Sequence, residues 1–457
     1  MRHSLILMIA LSIAVIFCFS NEGLFAAETS ETAITIYNQN LALVRQIREM
    51  QFGKGRQGYS YDGVAAQIDP TSVHFKAAGV QVLEQNFEYD LVDNQTLLRK
   101  FIGHTVEIRT SEGTVSGVLL SDQHPLILQD NDGKVQTLSS DQVHRVNFPE
   151  LPEGLVMKPT LRWDLFSEKK GNIDAELTYL TRGINWEASY VAVVSEKDDA
   201  LDFSGWVQID NNSGATYEDA KLKLMAGDVR IIQEHMGRRE RKKFTAMASA
   251  EMDGLGGFEE KSFFEYHLYT LPRPVTLRDR QKKQISLFPA AYASAKKIFT
   301  YSPSVDPKKI QVAMEFVNNK DNELGIPLPK GKVRLMKRDS DGSLEFIGED
   351  RIDHTPKKEK VRLKTGNAFD IVAERINTDS KSYKQQERKI RESAWDVEFR
   401  SSKTEKAEII VQEKFYGNWK IIEENLNGIK KDASTYEWVV QVPADGKTKL
   451  TYRVKYR

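Results

Sequence analysis

Apolar and polar residues alternate with a period of two along most of the chain. The C-terminal segment YEWVVQVPADGKTKLTYRVKYR shows this most clearly, with two alternating stretches separated by a Pro-Ala-Asp-Gly sequence at residues 443–446. Its apolar positions are Tyr436, Trp438, Val440, Val442, Leu450, Tyr452, Val454 and Tyr456. Such alternation is typical of strands with one buried face, and the intervening turn predicts an antiparallel hairpin. We expect Trp438 to be buried in that hairpin.

A second stretch, GWVQIDNNSGATYEDAKLKLMAGDV, places a polar cluster between two alternating segments. The cluster is Asn-Asn-Ser-Gly at residues 211–214. Val207 and Ile209 share a face before it, and Leu222 and Leu224 share a face after it. Asn and Gly tolerate positive φ angles, and Asn and Ser side chains hydrogen-bond to nearby backbone groups. We therefore interpret the cluster as the turn between two strands and not as an active site.

The distribution of strands and turns predicts a mainly β protein with tandem antiparallel β-sandwich domains. A small SH3- or Sm-like barrel is expected near the N-terminus, because five short alternating segments follow one another between turn residues. The predicted units are an N-terminal β domain (28–95), the small barrel (96–150), a β-sandwich (151–298) and a C-terminal β-sandwich (299–457). A charged and Gly-rich loop at residues 232–262 interrupts the first sandwich and is expected to be mobile.

Two features modify this pattern. In SLFPAAYASAKKIF, the run of small residues favours a helix over residues 291–297, limited on one side by Pro289. The segments WVQIDNNSG, MEFVNNKDN and WDVEFRSSK each pass from apolar alternation into a polar turn. This echo fits related sandwich units, and it also fits the same turn chemistry arising independently in a β protein.

The N-terminus has the pattern of a secretory signal peptide. A basic start, MRH, precedes an almost unbroken apolar run at residues 5–19, and small residues follow at Ala26 and Ala27. We predict cleavage near Ala27 and an exported product, periplasmic or extracellular. The alternative is an uncleaved anchor, although the run is short for a membrane span. Cys18 stands where a lipid could be attached, but the large Phe17 before it disfavours this modification.

Composition excludes several classes of function. The chain has 65 basic and 65 acidic residues, and this balance disfavours a nucleic-acid binder. Its single Cys lies in the predicted signal peptide, so the exported product would have no disulfide and no thiol. No later apolar run is long enough to cross a bilayer, and the remaining length fits roughly two to four domains. Because it would have no disulfide, the exported product must be stabilised by buried apolar surface.

Longer motifs resemble one known family. LTYLTRGINWEASYVAVV and the stretch from Gly205 to Val229 are similar to the core of the bacterial domain of unknown function 4139. LPRPVTLRDRQKKQISLF, ELGIPLPKGKVRLMKRD and IGEDRIDHTPKKEKVRLKTGNAFDI extend the resemblance over residues 150–457, and ITIYNQNLALVRQ resembles the front of such proteins. Ser401 and Ser402 depart from the Asn-containing turn of relatives. The resemblance implies β architecture and an envelope connection, since some relatives carry the label mucoidy inhibitor, but it implies no reaction.

The sequence contains no concentrated catalytic or metal-binding motif, and we predict no catalytic residue, no cofactor and no metal. There is no HExxH, no GxSxG and no phosphate-binding GxxxxGK[ST]. The histidines, among them His74, His104, His124 and His144, are scattered. QDNDGK and RDSDGS resemble fragments of calcium loops, but Leu128 and Lys337 stand at their first ligand positions, so hairpin turns are the simpler interpretation.

One charge run is a candidate contact site. Its basic residues are Arg238, Arg239, Arg241, Lys242 and Lys243. A solvated loop explains such a run, and contact with an anionic envelope surface is the alternative. An envelope protein or an anionic envelope polymer would be the partner.

Two functions remain open. The absence of catalytic motifs favours a non-catalytic binding or scaffold protein of the cell envelope, which leaves enzymatic activity uncertain but disfavoured. The alternative is an envelope hydrolase whose carboxylates come from separate strands, as a glycosidase would require. A deep pocket with converging carboxylates would favour the hydrolase, and an open groove would favour the binder.

Overall fold

The computed structural model describes residues 29–457 except 151, 153–154, 228, 231–257, 265 and 386–387. It is 66% strand and 3% helix, with several antiparallel sheets, so the predicted mainly β, sandwich-like fold is confirmed. The predicted signal peptide (1–27) lies outside the described residues, and so does most of the loop at 232–262. None of the described helices is both long and apolar enough for a membrane crossing.

The elements of the first third are β1 (Thr29–Tyr37), β2 (Leu41–Phe52), β3 (Gly55–Asp62), β4 (His74–Lys76), β5 (Val80–Glu88), α1 (Asn94–Lys100), β6 (Thr105–Thr110), β7 (Gly113–Ser121), β8 (Leu126–Gln129), β9 (Val135–Leu138) and β10 (Arg145–Asn147). The middle third contains β11 (Thr160–Ser167), β12 (Gly171–Thr181), β13 (Ile184–Val194), β14 (Ala200–Asn211), β15 (Tyr217–Ala226), β16 (Glu259–Phe263), β17 (Tyr266–Thr270), β18 (Val275–Leu277) and β19 (Gln281–Tyr301). The last third contains β20 (Lys309–Val317), β21 (Gly331–Arg338), β22 (Leu344–Ile352), β23 (Lys360–Gln385), β24 (Arg388–Ser401), β25 (Ala407–Lys414), β26 (Trp419–Glu424), β27 (Ile429–Lys430), β28 (Thr435–Val442) and β29 (Lys447–Tyr456). Pro70–Ser72 and Lys320–Asn322 are short 3₁₀ turns.

The described strands form four sheets. An eight-stranded sheet has the order β16-β17-β15-β1-β2-β12-β4 with β18 beside β15, and a three-stranded sheet has the order β3-β11-β5. The largest sheet runs β22-β21-β13-β14-β19-β20-β23-β24-β29-β26, with β25, β27 and β28 attached through β19. Most pairs are antiparallel, and β1–β15, β13–β21 and β19–β25 are parallel. The domain boundaries at residues 95, 150 and 298 stay predictions, but β1, β2 and β4 share a sheet with β12 and β15.

The five strands predicted within residues 96–150 are β6 to β10, which form one antiparallel sheet in the order β10-β6-β7-β8-β9. They enclose a separate small core with Val106, Ile108 and Leu128 at its centre. No described pairing joins β9 to β10, so the sheet is open at that edge. The preceding α1 is capped at its N-terminus by Asp93, whose carboxylate accepts hydrogen bonds from the backbone and side chain of Thr96.

Most of the other buried residues in the described ranges form two larger cores. The first core includes residues of the eight-stranded sheet, of β3 and β11, and of β13, β14 and the first part of β19. The second core lies between β25–β28 and the β23-β24-β29-β26 part of the large sheet, with Trp438 and Tyr452 stacked at a centroid distance of 4.8 Å. Trp438 is fully buried, as predicted, whereas Trp206 is 40% exposed on the outer face of β14.

The second core encloses a buried ion pair. Glu413 is 4% exposed, and its Oε1 accepts hydrogen bonds from Arg375 Nε at 2.9 Å and from the hydroxyl of Tyr452. Arg375 Nη2 also donates to the Tyr452 hydroxyl at 3.0 Å, and the guanidinium lies 3.4 Å from the ring centroid of Trp395. Burial raises the pKa of Glu413 above its ordinary value, although Arg375 and Tyr452 act to lower it. The guanidinium is therefore fixed by three separate contacts.

The predicted C-terminal hairpin is wrong, although the alternation on which it was based is correct. β28 pairs with β25 and β27, while β29 pairs with β24 and β26. Residues 443–446 therefore connect two facing layers and do not close a hairpin. The physical reason is that both strands have one apolar face, and the two faces bury each other when they pack across the core.

The predicted helix over residues 291–297 is also wrong, because this segment belongs to β19. Ala291 and Ala293 are buried while Tyr292 and Ser294 are exposed, which is the period of a strand. Pro289 is tolerated because the β14–β19 register shifts beside it, between residues 203 and 206. At the same place a Cβ on Gly205 would lie 2.3 Å from the ring of Phe288, so only glycine fits there.

The turn at residues 211–214 carries the chain from β14 in the large sheet to β15 in the eight-stranded sheet. Asn211 is 1% exposed, and its Nδ2 donates to the carbonyls of Ala215, Leu277 and Arg278 at 2.9–3.2 Å. Its Oδ1 accepts from the backbone and hydroxyl of Ser213. The side chains of the cluster are thus engaged in building the turn, as the sequence predicts.

Replacing Asn211 by Ala is expected to lower the free energy of unfolding by about 2 kcal/mol or more, because buried carbonyls and the Ser213 amide would lose their partner. Denaturant melts measure this change. The matched control is Asn212→Ala, since Asn212 is exposed and bonds only Asp210 through its side chain, and it should change stability by less than about 0.5 kcal/mol. Equal effects of the two substitutions would contradict a structural role for Asn211.

Candidate functional site

β19 connects the two large cores. Its first part pairs with β14, residues 295–300 pair with β20, and residues 299–301 pair with β25. Ile285 and Leu287 belong to the first core, and Phe299 and Tyr301 belong to the second. Side chains that leave β19 near residue 297 consequently lie at the junction of the two cores.

A cleft of about 480 Å³ lies at this junction, and we call it the junction cleft. β19 forms one wall, β25 forms another, and the loop between β24 and β25 forms the rim. The lining residues are Lys296, Lys297, Ile298, Phe299, Asp370, Ser402, Lys403, Thr404, Glu405, Lys406, Glu408 and Ile410. Four lysines and three carboxylates therefore meet around one short apolar strip.

Phe299 is the aromatic residue of the junction cleft and is 9% exposed. The ammonium groups of Lys297 and Lys403 lie 5.9 and 5.7 Å from its ring centroid. Ammonium groups at this distance from a ring are attracted by its electron-rich face. The ring therefore helps to keep two cations near the bottom of the cleft.

Two of the three carboxylates at the cleft, Glu408 and Asp370, are engaged in ion pairs. Glu408 Oε1 lies 3.3 Å from Lys296 Nζ, and its Oε2 accepts a hydrogen bond from Gln441 at 2.8 Å. Asp370 Oδ2 lies 3.7 Å from Lys403 Nζ. The hydrogen bond from Gln441, together with Lys296, lowers the pKa of Glu408 below its ordinary value. This carboxylate is therefore ionised at neutral pH and is a poor proton donor.

Asp198 fixes Lys297 from the other side. Asp198 lies in the turn between β13 and β14 with a φ of 59°, a conformation that Asp tolerates better than most residues. Its carboxylate binds both Lys297 and Lys337, and Lys337 also donates to the carbonyls of Ser195 and Glu196. Burial acts to raise the pKa of Asp198, but the two lysines outweigh it and lower the pKa. The turn is thereby tied to β19 and β21.

A second pocket of about 320 Å³ brings carboxylates together from separate strands. Asp396 comes from β24, and Glu423 and Glu424 come from the end of β26. Glu423 lies 3.2 Å from Arg453, and Asp396 is paired with Lys449. Glu424 accepts hydrogen bonds from the indole of Trp438 at 2.7 Å and from Tyr436 at 3.2 Å. We call this the carboxylate pocket.

The five basic residues predicted as a contact site, Arg238 to Lys243, lie outside the described residues, so that hypothesis stays a prediction. Within the described ranges no group of three or more His, Cys, Asp or Glu side chains is placed to hold a metal ion. The junction cleft could not be predicted from the sequence, because its wall segments, 296–299 and 402–410, are more than 100 positions apart and form no motif. The predicted helix over residues 291–297 also gave no indication that the side chains of Lys296 and Lys297 alternate between the two faces of a strand, β19.

Comparison with known proteins gives a family but no activity. No curated protein matches the chain. The model of one family, described as a domain of unknown function, matches residues 175–457, which is more than half of the chain. The match starts within β12, and this strand pairs with β2 outside the matched region. The chain therefore belongs to the family of the domain of unknown function DUF4139, as the resemblance of its motifs predicts.

Proposed function

We propose that the protein is exported to the cell envelope and acts there as a non-catalytic binding or scaffold protein, with the junction cleft as its contact site. The observation that carries the proposal is the state of the cleft carboxylates. Glu408 and Asp370 are engaged by lysines, and the lowered pKa of Glu408 suits an ion-pairing role. A general acid in hydrolysis needs a carboxyl group with a raised pKa.

The side chains at the rim favour contact with a polar or charged partner. The side chain of Lys296 is 70% exposed and that of Glu408 is 43% exposed, so both can exchange their present ion pair for a partner's charges. Exposed ion pairs of this kind contribute little to stability, and losing them on binding costs little. Lys297 and Lys403 are more enclosed and would hold the partner against Phe299.

Reversing two charges of the cleft, with Lys296→Glu and Lys403→Glu, is expected to abolish capture of a partner from envelope extracts. Charge reversal would place like charges opposite each other across the contact, and this arrangement strongly disfavours binding. The matched control reverses Lys197 and Lys309, which are exposed and form no described ion pair. Circular dichroism melts should be the same for both variants.

Capture that is lost in the cleft variant and kept in the control supports the proposal. Identical capture by both variants would remove the junction cleft as the contact site. Export is checked separately by cell fractionation and by mass spectrometry of the N-terminus, which should begin close to residue 28. A full-length chain in the cytoplasmic fraction would contradict the envelope setting.

The carboxylate pocket supports the second candidate, an envelope hydrolase, because Asp396 and Glu423 come from separate strands. Asp396 is paired with Lys449 and Glu423 with Arg453, so both carboxylates are already engaged by cations. We therefore expect no release of reducing ends when the protein is incubated with envelope polysaccharide. Release that disappears in Asp396→Asn or Glu423→Gln would replace the binding proposal by the hydrolase.

A further inference from the structure

The hairpin formed by β23 and β24 has a tip that extends past the neighbouring strand. The hairpin is paired from Ile371–Ser401 to Gln385–Arg388. β29 lies beside β24 only as far as the pair Arg391–Tyr456. Beyond that pair, Lys384, Arg388 and Lys389 are exposed. The tip is therefore available to a partner.

The two faces of this tip differ in charge. Residues directly opposite each other on antiparallel strands point to the same face. One face carries the pairs Ser382–Arg391 and Lys384–Lys389. None of these three basic side chains has a described carboxylate within ion-pair distance. We call Lys384, Lys389 and Arg391 the cationic face.

On the opposite face of the tip most charges are paired, and Arg388 is the exception. Lys381 lies 3.1 Å from Asp379, and Lys455 of β29 lies 3.5 Å from Glu392. The Tyr383 hydroxyl donates to Glu392 at 2.6 Å. The excess of positive charge is thus larger on the cationic face, with three such side chains against one.

The positive charges of the cationic face repel one another, and a negatively charged ligand would remove this repulsion. Lys384 and Lys389 stand directly opposite each other, and like charges in this position repel. Arg391 lies two residues further along β24, roughly 7 Å from Lys389, and its guanidinium is 5.3 Å from the ring centroid of Tyr456. Three cations in a short row match a chain with repeated negative charges better than a single small anion.

The other side chains on this face indicate which polyanion fits. The exposed Ser382 offers a hydroxyl group, and Tyr456 offers a ring beside Arg391. The tip's Ile390 points to the opposite face and is 3% exposed, so it is not available for insertion into lipid. A hydroxyl, a ring and spaced cations together suit an acidic sugar better than a lipid surface.

We infer that the cationic face binds an acidic polysaccharide through its carboxylate groups. The inference deepens the proposed binding function by naming a class of partner. It uses a different surface, because the Ile371–Ser401 end of the hairpin is beside the junction cleft and the tip is roughly 45 Å further along the strands. A negative binding result at one surface therefore does not decide the role of the other surface, which has its own experiment.

The test measures binding of the full chain to polygalacturonate at low salt, with neutral dextran as the reference polymer. Lys384→Ser, Lys389→Ser and Arg391→Ser in one chain should weaken binding about tenfold or more, and added salt should weaken binding of the unmodified chain. A charge-retaining variant, with Lys384→Arg, Lys389→Arg and Arg391→Lys, should bind nearly as well as the unmodified chain.

The matched control is the triple variant Lys54→Ser, Lys197→Ser and Lys309→Ser, which removes the same charge from exposed positions without described ion pairs. Equal weakening in this control would overturn the inference, because binding would then follow net charge alone. Stronger binding to vesicles of equal parts phosphatidylcholine and phosphatidylglycerol than to polygalacturonate would also overturn it in favour of a lipid surface.

A readout without substitution covers the case in which the triple variant does not fold. Acetylation of Lys384 and Lys389 in the unmodified chain, followed by mass spectrometry, should slow about tenfold when polygalacturonate is bound at saturation. Acetylation of Lys54 should be unchanged. Equal acetylation of the hairpin lysines with and without polygalacturonate would contradict the inference.

Discussion

Replacing Trp438 by Ala is expected to lower the free energy of unfolding by about 3–5 kcal/mol, as for other fully buried aromatic residues. Trp438 is fully buried, stacks on Tyr452 and lies 4.7 Å from the ring centroid of Tyr436. Its indole nitrogen also donates to Glu424 at 2.7 Å. The substitution would remove packing on both sides of the ring and take away one of the hydrogen-bond donors to Glu424. Denaturant melts followed by circular dichroism measure the loss.

Two further variants make this result specific. Trp206→Ala should cost less than about 1 kcal/mol, because Trp206 is 40% exposed on an outer face. Trp438→Phe keeps much of the packing but removes the donor to Glu424, so its cost should lie between those of the two alanine variants. A Trp438→Ala chain that melts within about 0.5 kcal/mol of the unmodified chain would show that the second core does not depend on this residue.

Replacing Arg375 by Ala is expected to cost a similar amount, about 3–5 kcal/mol, because it leaves the charge of Glu413 buried without compensation. Arg375 now donates to Glu413 and to the Tyr452 hydroxyl and covers the ring of Trp395. Arg375→Lys should recover only part of the loss, because a single ammonium group cannot make these contacts together. Arg400→Ala is the control, since Arg400 binds Glu374 and Glu398 at the surface, and it should change stability little.

The effect of Arg375→Ala should depend on pH. Burial raises the pKa of Glu413 in the folded protein above the value of about 4.5 for the unfolded chain. A group with a raised folded pKa contributes stability below the unfolded pKa, and this contribution is lost as the pH rises through the folded pKa. Arg375 pulls the pKa of Glu413 down, so its removal raises that pKa further. The variant should therefore lose more stability relative to the unmodified chain at pH 7 than at pH 5.

Adding Glu413→Gln to Arg375→Ala tests the cause directly. The double variant contains no buried carboxylate at this position, so the extra loss between pH 5 and pH 7 should disappear. A pH dependence that persists in the double variant would assign it to other groups. A cost that is independent of pH in the single variant would show that lost packing against Trp395 dominates the effect.

The sequence by itself determined the fold class and which face of many strands is buried. The alternation around Val207, Ile209, Leu222 and Leu224 is reproduced by their burial, because a period of two assigns a face wherever one side is apolar. The turn at residues 211–214 was also determined by the local sequence, because the hydrogen bonds of Asn211 to Ser213 and Ala215 span only two and four residues. The family could also be identified from the sequence, because its long motifs can be recognised without knowing which strands pair.

The tertiary structure decided which strand pairs with which. The alternation of β28 and β29 fits a hairpin and two facing layers equally well, and the choice was made by the partners β25 and β24, which are distant in sequence. The strand conformation of residues 291–297 depends on pairing with β14 and β20, which overrides the local preference of a run rich in alanine. The junction cleft and the cationic face likewise exist only through such pairings. The sequence does not indicate that Lys296 and Lys403 lie in one cleft. A period of two fixes the face of a residue but not its neighbour on the next strand.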